Sequence, residues 1–184
     1  MKNVVIVGTG TMAAGIAAGF ISQSVPIAIL GRNKEKSTAC LKKAILLSKK
    51  IGISGANADK DDIELEVSQN HGELSSWQSW DQSQWIIETV AEDMPLKREV
   101  FKQLDKKVPA HIPIGSNSSG FPISKIADGL KTANRMLGAH YFMPAEVVPL
   151  VEIVLGEKTD IRYAENICNL YRQIQKKPVL VKRD

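Results

Sequence analysis

Cysteine and long apolar runs are scarce in this sequence, and their scarcity excludes several classes of protein. The two cysteines, Cys40 and Cys168, lie far apart without CxxC or CxxxH spacing, so we interpret both as packed thiols rather than as a disulfide or a metal site. No apolar run approaches the ~20 residues that cross a bilayer, and the N-terminus enters a strand-like run with no signal-peptide pattern. The composition therefore predicts a soluble, cytoplasmic, globular protein.

A strong excess of one charge is also absent. Lysine and arginine number 24 against 20 acidic residues, a net charge of +4, which suits an anionic small molecule as well as a nucleic acid. The lysines at positions 42, 43, 49 and 50 have no aromatic residues between them on which bases could stack. We therefore interpret them as a solvated helix face, and expect a small-molecule substrate with no nucleic-acid or membrane partner.

Strand-like and helix-like segments alternate along the chain. Residues 4–7 form a β-branched run typical of a strand buried on both faces, and Met12, Ile16 and Phe20 then recur at helical spacing. Further strands are predicted at 26–30, 63–67, 85–90, 112–115, 136–142, 150–154 and 178–181, and a loop is predicted at 52–62. Further helices are predicted over 33–51 with a cap at Asn33, from Pro95 onward, and after a cap at Thr159. This order predicts one α/β dinucleotide-binding domain over 1–184, Rossmann-like and doubly wound, with a mostly parallel sheet and helices on both faces.

A glycine-rich turn joins the first strand to the first helix. Residues 8–13 read G-x-G-x-x-A directly after the strand. The first glycine permits the tight turn, the second lets the backbone approach a pyrophosphate, and the helix N-terminus offers free N–H groups to phosphate. We therefore predict a dinucleotide cofactor held by Gly8, Gly10, Thr11 and Met12. The alternative is a tight turn that binds nothing.

An acidic residue is missing where the second strand ends. Dinucleotide-binding folds usually have a carboxylate there, about 20 residues after the glycines, which binds the adenosine ribose. This sequence has Gly31, Arg32 and Lys34 instead, which removes repulsion toward a 2′-phosphate and adds positive charge. We therefore predict that NADP is tolerated or preferred over NAD, with Gly31 and Arg32 in the cofactor site. The alternative is that Arg32 stacks on the adenine and NAD binds without an acidic clamp.

Polar groups stand in apolar surroundings later in the chain. Glu152 lies within the apolar run 150–154, where an ionised carboxylate is costly unless it is paired. His140 lies in another apolar run and is its natural partner, since a carboxylate on one imidazole nitrogen raises the basicity of the other. Residues 116–119, SNSS, follow a strand and add hydroxyl and amide groups where such sheets bind ligands. Each group alone has an ordinary structural explanation, but together with the glycine turn they predict a metal-free dehydrogenase active site.

These motifs, in this order, resemble the N-terminal domain of the L-3-hydroxyacyl-CoA dehydrogenases. The family pattern GxGxMGxGIA is similar to residues 8–17, and VIEAVxEDxxxK is similar to residues 87–97. SNTS resembles residues 116–119, while GxHFFNP and LVEV resemble residues 138–144 and 150–153. The resemblance implies hydride transfer between a 3-hydroxyacyl-CoA ester and a nicotinamide cofactor.

The resemblance also implies roles for individual residues. His140 would be the general base that takes the 3-hydroxyl proton, and Glu152 would orient it and stabilise its imidazolium form. Ser119 would hydrogen-bond the substrate oxygen, and Asn117 would lie near the nicotinamide.

Two further residues match family positions that contact the nicotinamide-ribose side of the cofactor. These are Glu92 and Lys97. For Lys97 the alternative is an ordinary ion pair with an exposed helix carboxylate.

The chain departs from the family pattern in ways that bear on function. Met143 replaces an asparagine and residues 145–150 also differ, which leaves a small hydroxy acid as an alternative substrate. Family members continue into a helical domain that carries another catalytic asparagine, most of the substrate pocket and the dimer interface. We therefore expect that domain to be absent here, low activity of this chain alone, and a homodimer in the full-length form. A non-catalytic nucleotide-binding module is the alternative from a different class.

Overall fold

The structure, a computed structural model, describes residues 2–51 and 69–184. Its strands are β1 (Asn3–Val7), β2 (Ile27–Gly31), β3 (Gln69–Glu73), β4 (Ser83–Glu88), β5 (Ile114–Ser116), β6 (Met136–Tyr141), β7 (Leu150–Leu155) and β8 (Lys177–Val181). Its α-helices are α1 (Thr11–Ile21), α2 (Lys34–Lys50), α3 (Met94–Lys107), α4 (Ile123–Ile126) and α5 (Ile161–Gln173). Within the described residues, the eight strands form one sheet in the order β3-β2-β1-β4-β5-β6-β7-β8.

Neighbouring strands of this sheet run parallel, except that β6 and β7 are antiparallel. From β1 the chain moves outward through β2 to β3, then crosses back to β4 on the other side of β1, which is the doubly wound arrangement. A short loop reverses the chain between β6 and β7, as an antiparallel pair allows. The predicted Rossmann-like, mostly parallel fold is confirmed, and the carboxyl ends of β1, β2, β4, β5 and β6 lie along one edge.

Helices cover both faces of the sheet, and the side chains of β1 are therefore buried on both faces. Val4 and Ile6 pack into one core layer with residues of α1, α2 and α5. Val5 and Val7 point the opposite way and pack with residues of α3 and α4. Because successive side chains of a strand alternate between faces and both faces are covered, β1 is apolar throughout.

Side-chain caps begin three of the helices. The predicted cap at Asn33 is confirmed, since its Oδ1 accepts the amide three residues along at 3.0 Å. Asp93 caps α3 in the same way at 2.8 Å. The cap predicted at Thr159 is wrong. Asp160 caps α5, because the Thr159 hydroxyl donates to the Met136 carbonyl at 2.6 Å instead.

Strand boundaries differ from the prediction in the middle of the chain. The loop predicted at 52–62 and the strand predicted at 63–67 lie outside the described residues. The sequence did not predict β3, whose residues QNHGE show no apolar alternation; β3 pairs with β2 along its backbone at the sheet edge. The strand predicted at 85–90 is observed two residues earlier as β4, and the one predicted at 112–115 begins two residues later and ends one residue later as β5.

Both cysteines are buried free thiols, in agreement with the sequence analysis. Among the helices of residues 2–51 and 69–184, none is long and apolar enough to span a membrane.

Candidate active site

The turn after β1 has no room for a side chain at its first glycine and open space at its second. Gly8 has a φ of +129°, and a Cβ there would lie 2.8 Å from the Thr89 carbonyl oxygen, so glycine is required. At Gly10 a Cβ would meet no described heavy atom within 4 Å beyond its chain neighbours. Space is therefore left in front of Gly10 at the N-terminus of α1, which no side chain caps, and free amides at such a helix end can bind a phosphate group. Thr11 is exposed beside them, whereas Met12 is half-buried and packs on the core.

The end of β2 is closed to any side chain at Gly31. A Cβ on this residue would lie 2.7 Å from both the Ser37 hydroxyl oxygen and the Thr9 methyl carbon. Ser37 is fixed by donating to the Gly72 carbonyl at 2.8 Å. The missing carboxylate is therefore excluded by neighbouring atoms, while Arg32, the next residue, is exposed.

His140 and Glu152 lie directly opposite each other on β6 and β7. His140 Nδ1 is 2.9 Å from Glu152 Oε2. The predicted pairing is present, but the pair is less buried than the apolar runs indicated: the side chains are 22% and 36% exposed. Their neighbours along the strands, such as Val151 and Ile153, are fully buried instead. The pair thus opens onto a cleft.

Ser119 extends this pair into a chain of three side chains. Its Oγ is 3.0 Å from His140 Nε2. Because the Glu152 carboxylate only accepts hydrogen bonds, the neutral imidazole carries its proton on Nδ1, and Nε2 accepts the Ser119 hydroxyl. The three residues line a cleft of about 230 Å³, together with Phe121 and Val154 among others.

Asn117 directly follows β5 and is hydrogen-bonded to the two strands beside it, β4 and β6. Its backbone amide donates to the Glu88 carbonyl at 2.8 Å, and its side-chain Oδ1 accepts the Tyr141 amide at 2.9 Å. Asn117 is therefore bonded to the residue that follows His140. Its place near the nicotinamide stays a prediction.

Lys97 lies below the cleft and not in it. Its side chain has no exposed surface, and Nζ is 2.9 Å from Glu88 Oε1 and 3.4 Å from Glu92 Oε2. The chain's own carboxylates enclose the Lys97 ammonium, and a direct contact between Lys97 and a cofactor stays a prediction. The alternative of an exposed helix carboxylate is wrong, since the partners are Glu88, a buried strand residue, and Glu92, which precedes α3.

Glu88 is the site residue that the sequence analysis missed. Its carboxylate also accepts the Val90 amide and the Ser116 hydroxyl, both at 2.6 Å. Burial raises the pKa of Glu88, against the opposing effects of the Lys97 charge and the Ser116 hydrogen bond. A signal was available, because an acid in the apolar run WIIETV requires a partner for the same reason as Glu152.

Glu92 holds the loop that carries Ser119. Its Oε1 accepts the Ser118 hydroxyl at 2.5 Å, the Ser119 amide at 3.1 Å and the Gly120 amide at 2.9 Å. Burial opposes ionisation of Glu92, but the hydrogen bonds from Ser118 and Gly120 and the Lys97 charge outweigh it and lower its pKa. Lys97 and Glu92 thus link the core to the loop, and a contact between Glu92 and the cofactor stays a prediction.

The loop between β6 and β7 is fixed from two sides. Lys176 is buried, and its Nζ donates to the carbonyls of Ala145 and Val148 at 2.6 and 2.7 Å. On the other side, a Cβ at Gly15 would lie 2.5 Å from Glu146 Oε2, so the loop packs closely on α1. The glycine-turn helix and the His140–Glu152 hairpin are therefore in direct contact.

Comparison with known proteins agrees with this architecture. A family profile described as 3-hydroxyacyl-CoA dehydrogenase, NAD binding domain, matches residues 3–184. The peroxisomal fatty acid beta-oxidation multifunctional protein MFP2 of Arabidopsis thaliana is 31% identical over 183 residues, which are 98% of this chain and 25% of that protein. The 5-formyl-3-hydroxy-2-methylpyridine 4-carboxylate 5-dehydrogenase of Mesorhizobium japonicum is 28% identical, over 100% of this chain and 58% of the relative.

Among solved structures, 3-hydroxybutyryl-CoA dehydrogenase from Escherichia coli superposes with a TM-score of 0.83 and 26% identity, covering 97% of this chain and 38% of that one. The chain thus spans between a quarter and about three fifths of the length of these relatives. By its profile match over nearly its whole length, the chain belongs to the family of NAD-binding domains of the 3-hydroxyacyl-CoA dehydrogenases.

Proposed function

We propose that this chain is the nucleotide-binding and proton-transferring part of a dehydrogenase that interconverts the 3-hydroxyl and 3-keto groups of an acyl-CoA ester. The observation that carries the proposal is the hydrogen-bonded chain from Ser119 through His140 to Glu152, at the same edge of the sheet as the open glycine turn. Family membership and the E. coli relative, named as acting on 3-hydroxybutyryl-CoA, support the substrate class.

His140 is the proton acceptor in this mechanism. Glu152 holds the Nδ1 proton, so Nε2 presents a lone pair to the substrate hydroxyl. When that hydroxyl occupies the position beside Nε2, the Ser119 hydroxyl is free to donate to the substrate oxygen. Glu152 then stabilises the imidazolium, and the reverse reaction returns the proton to the ketone oxygen. A bound nicotinamide cofactor supplies the hydride acceptor.

Turnover by His140 variants tests this assignment. Acetoacetyl-CoA reduction by the chain is compared with reduction by His140→Ala. His111→Ala serves as control, because His111 is exposed and does not line the cleft. Loss of a general base lowers the rate by about 10²–10⁴-fold, so we expect a loss of this size in His140→Ala and none in the control. A nucleotide-binding module would bind NADH equally well in all three proteins and reduce nothing.

For the cofactor, we propose that NADPH is accepted at least as well as NADH. The family profile supports NAD, whereas the closed Gly31 position and exposed Arg32 support tolerance of a 2′-phosphate. Fluorescence titration measures both affinities. Arg32→Glu is expected to weaken NADPH about tenfold or more, the value of one charge-assisted hydrogen bond, and to spare NADH. Lys42→Glu makes the same charge change elsewhere and should leave the ratio unaltered. Tighter binding of NADH by the unmodified chain contradicts the proposal.

A small carboxylate substrate is the second candidate. Met143, which replaces the family's asparagine, is 68% exposed beside the catalytic hairpin, and the Mesorhizobium relative is named for a pyridine carboxylate. A screen of 3-hydroxyacyl-CoA esters against small hydroxy acids separates the two candidates. The cytoplasmic location and the homodimer stay predictions.

A further inference from the structure

The Ser119–His140–Glu152 chain has the geometry of a nucleophile, a general base and an orienting carboxylate. The hydroxyl donates to Nε2 at 3.0 Å, and Nδ1 is 2.9 Å from the carboxylate. These are the distances at which a histidine activates a serine for attack on a carbonyl. Ser119 is exposed at the rim of the cleft, so a small acyl compound can reach its Oγ without movement of the backbone.

We propose that this site also hydrolyses small activated carboxylic esters through an acyl-Ser119 intermediate, without any nucleotide. The proposal goes beyond the dehydrogenase function and does not depend on it, because neither cofactor nor hydride transfer takes part.

Two backbone amides beside the nucleophile converge on one negatively charged oxygen. The Ser119 and Gly120 N–H groups both donate to Glu92 Oε1, at 3.1 and 2.9 Å. A pair of adjacent amides directed at one oxyanion, one of them belonging to the nucleophile, is the arrangement that stabilises a tetrahedral intermediate in acyl transfer. Here the carboxylate of Glu92 occupies it. Glu92 therefore restrains ester hydrolysis, and its removal frees the amide pair.

The reaction balances with water as the only co-reactant. Ser119 Oγ bonds to the acyl carbon while its proton moves to His140 Nε2. The bond between the acyl carbon and the leaving oxygen then breaks, and the leaving alcohol takes that proton. Water next adds its oxygen to the acyl carbon and gives a proton to Nε2, Ser119 Oγ departs, and the proton returns to it. Ester and water become acid and alcohol.

p-Nitrophenyl acetate, added to the chain without nucleotide, tests the proposal. We expect the unmodified chain to release p-nitrophenolate about tenfold or more faster than Ser119→Ala and His140→Ala. His111→Ala should match the unmodified chain. Peptide mass spectrometry of the acetylated protein should place the acetyl group on Ser119. Equal rates in the unmodified chain and Ser119→Ala, or acetyl groups on lysines alone, overturn the proposal.

Glu92→Ala tests the role of the amide pair separately. Its side chain is 42% exposed and Lys97 keeps Glu88 as partner, so the fold should tolerate the change. Because one oxyanion donor is worth about 10²–10³-fold, we expect hydrolysis to rise at least tenfold, and to fall again in Glu92→Ala/Ser119→Ala. An unchanged rate overturns the assignment of the amides. Circular dichroism checks each fold, and if Ser119→Ala unfolds, Ser119→Gly replaces it, because that variant also lacks the hydroxyl. Failure here leaves the NADH-dependent assay untouched, so the two proposals fail separately.

Discussion

Gly8 and Gly10 belong to one motif but are required for different reasons. Gly8 combines a φ of +129° with a close approach to Thr89, so its lack of a side chain serves the fold. Gly10 has an ordinary φ of −78° and open space around its Cβ position. The fold therefore does not require glycine at this position, and we propose that the space in front of Gly10 is used by a bound pyrophosphate.

Alanine substitutions separate these two requirements. Gly8→Ala is expected to lower the free energy of unfolding by about 2–4 kcal/mol, through backbone strain and overpacking. Gly10→Ala should change it by less than about 1 kcal/mol but weaken NADH binding more than about tenfold, because the methyl group fills the space of the pyrophosphate. Urea unfolding and fluorescence titration measure the two effects. Normal NADH affinity in Gly10→Ala would remove the pyrophosphate from this turn.

The buried Glu88–Lys97 pair is the other residue-scale feature that decides stability. Both side chains have no exposed surface, and removal of one partner leaves an uncompensated charge in the core, a change that costs about 3–5 kcal/mol. We expect Lys97→Met to lose this much in urea unfolding. Lys102→Met, on an exposed position of the same helix, should stay within about 0.5 kcal/mol.

A double variant distinguishes the ion pair from simple packing. In Glu88→Gln/Lys97→Met neither buried charge remains, so the loss should be smaller than the sum of the two single losses by about 1 kcal/mol or more. Additive losses would show that the two groups do not interact energetically.

At the scale of elements, Arg135 connects the end of α3 to the strands that follow. Its side chain is fully buried. The guanidinium donates to the carbonyls of Val108, Pro109 and Ile112 at 3.1, 2.7 and 2.7 Å. These carbonyls follow the C-terminal end of the helix, where a cation is favoured by the helix dipole. One side chain therefore satisfies three carbonyl acceptors in the segment between α3 and β5 and connects this segment to the start of β6.

Arg135→Met is expected to destabilise the protein by about 3–5 kcal/mol, because it leaves several buried carbonyls without a donor. Arg135→Lys should recover only part of this loss, since a single ammonium cannot reproduce the planar fork. Arg98→Met is the control: Arg98 is 46% exposed and 3.8 Å from Asp128, a surface pair worth about 0–1 kcal/mol. Thermal unfolding compares the three variants, and equal losses for Arg135→Met and Arg98→Met would contradict this account.

Across the whole molecule, the sequence predicts elements that have a regular apolar pattern. It does not predict features that depend on contacts between residues far apart in the chain. Strands buried on both faces must be apolar throughout, so β1 was predictable. Among the described residues, β3 is an edge strand with a partner on one side only, and its residues QNHGE show no apolar pattern. The His140–Glu152 pairing was predictable from the cost of a buried charge, whereas its exposure depends on the cleft around it. The buried partner of Lys97 was not predicted, because its pairing with Glu88 depends on the packing between α3 and β4.

The two cysteines report on the cooperativity of the whole molecule. Cys40 on α2 and Cys168 on α5 lie in the same core layer, 5% and 3% exposed. Burial raises the pKa of the Cys40 thiol from 9.0 to about 11, and also raises that of Cys168. Since the thiolate is the reactive form, the folded chain should resist thiol reagents at pH 8.

Labelling with iodoacetamide over a urea series therefore follows the opening of this layer. If the layer opens as one unit, both cysteines are labelled with the same dependence on urea, parallel to the loss of circular dichroism. The raised pKa also fixes the sign of a pH effect: the unfolded Cys40 thiol ionises first, so its contribution to stability is present below pH 9.0 and is lost as pH rises toward about 11. Rapid labelling of Cys40 alone in buffer would show instead that α2 opens independently of the sheet.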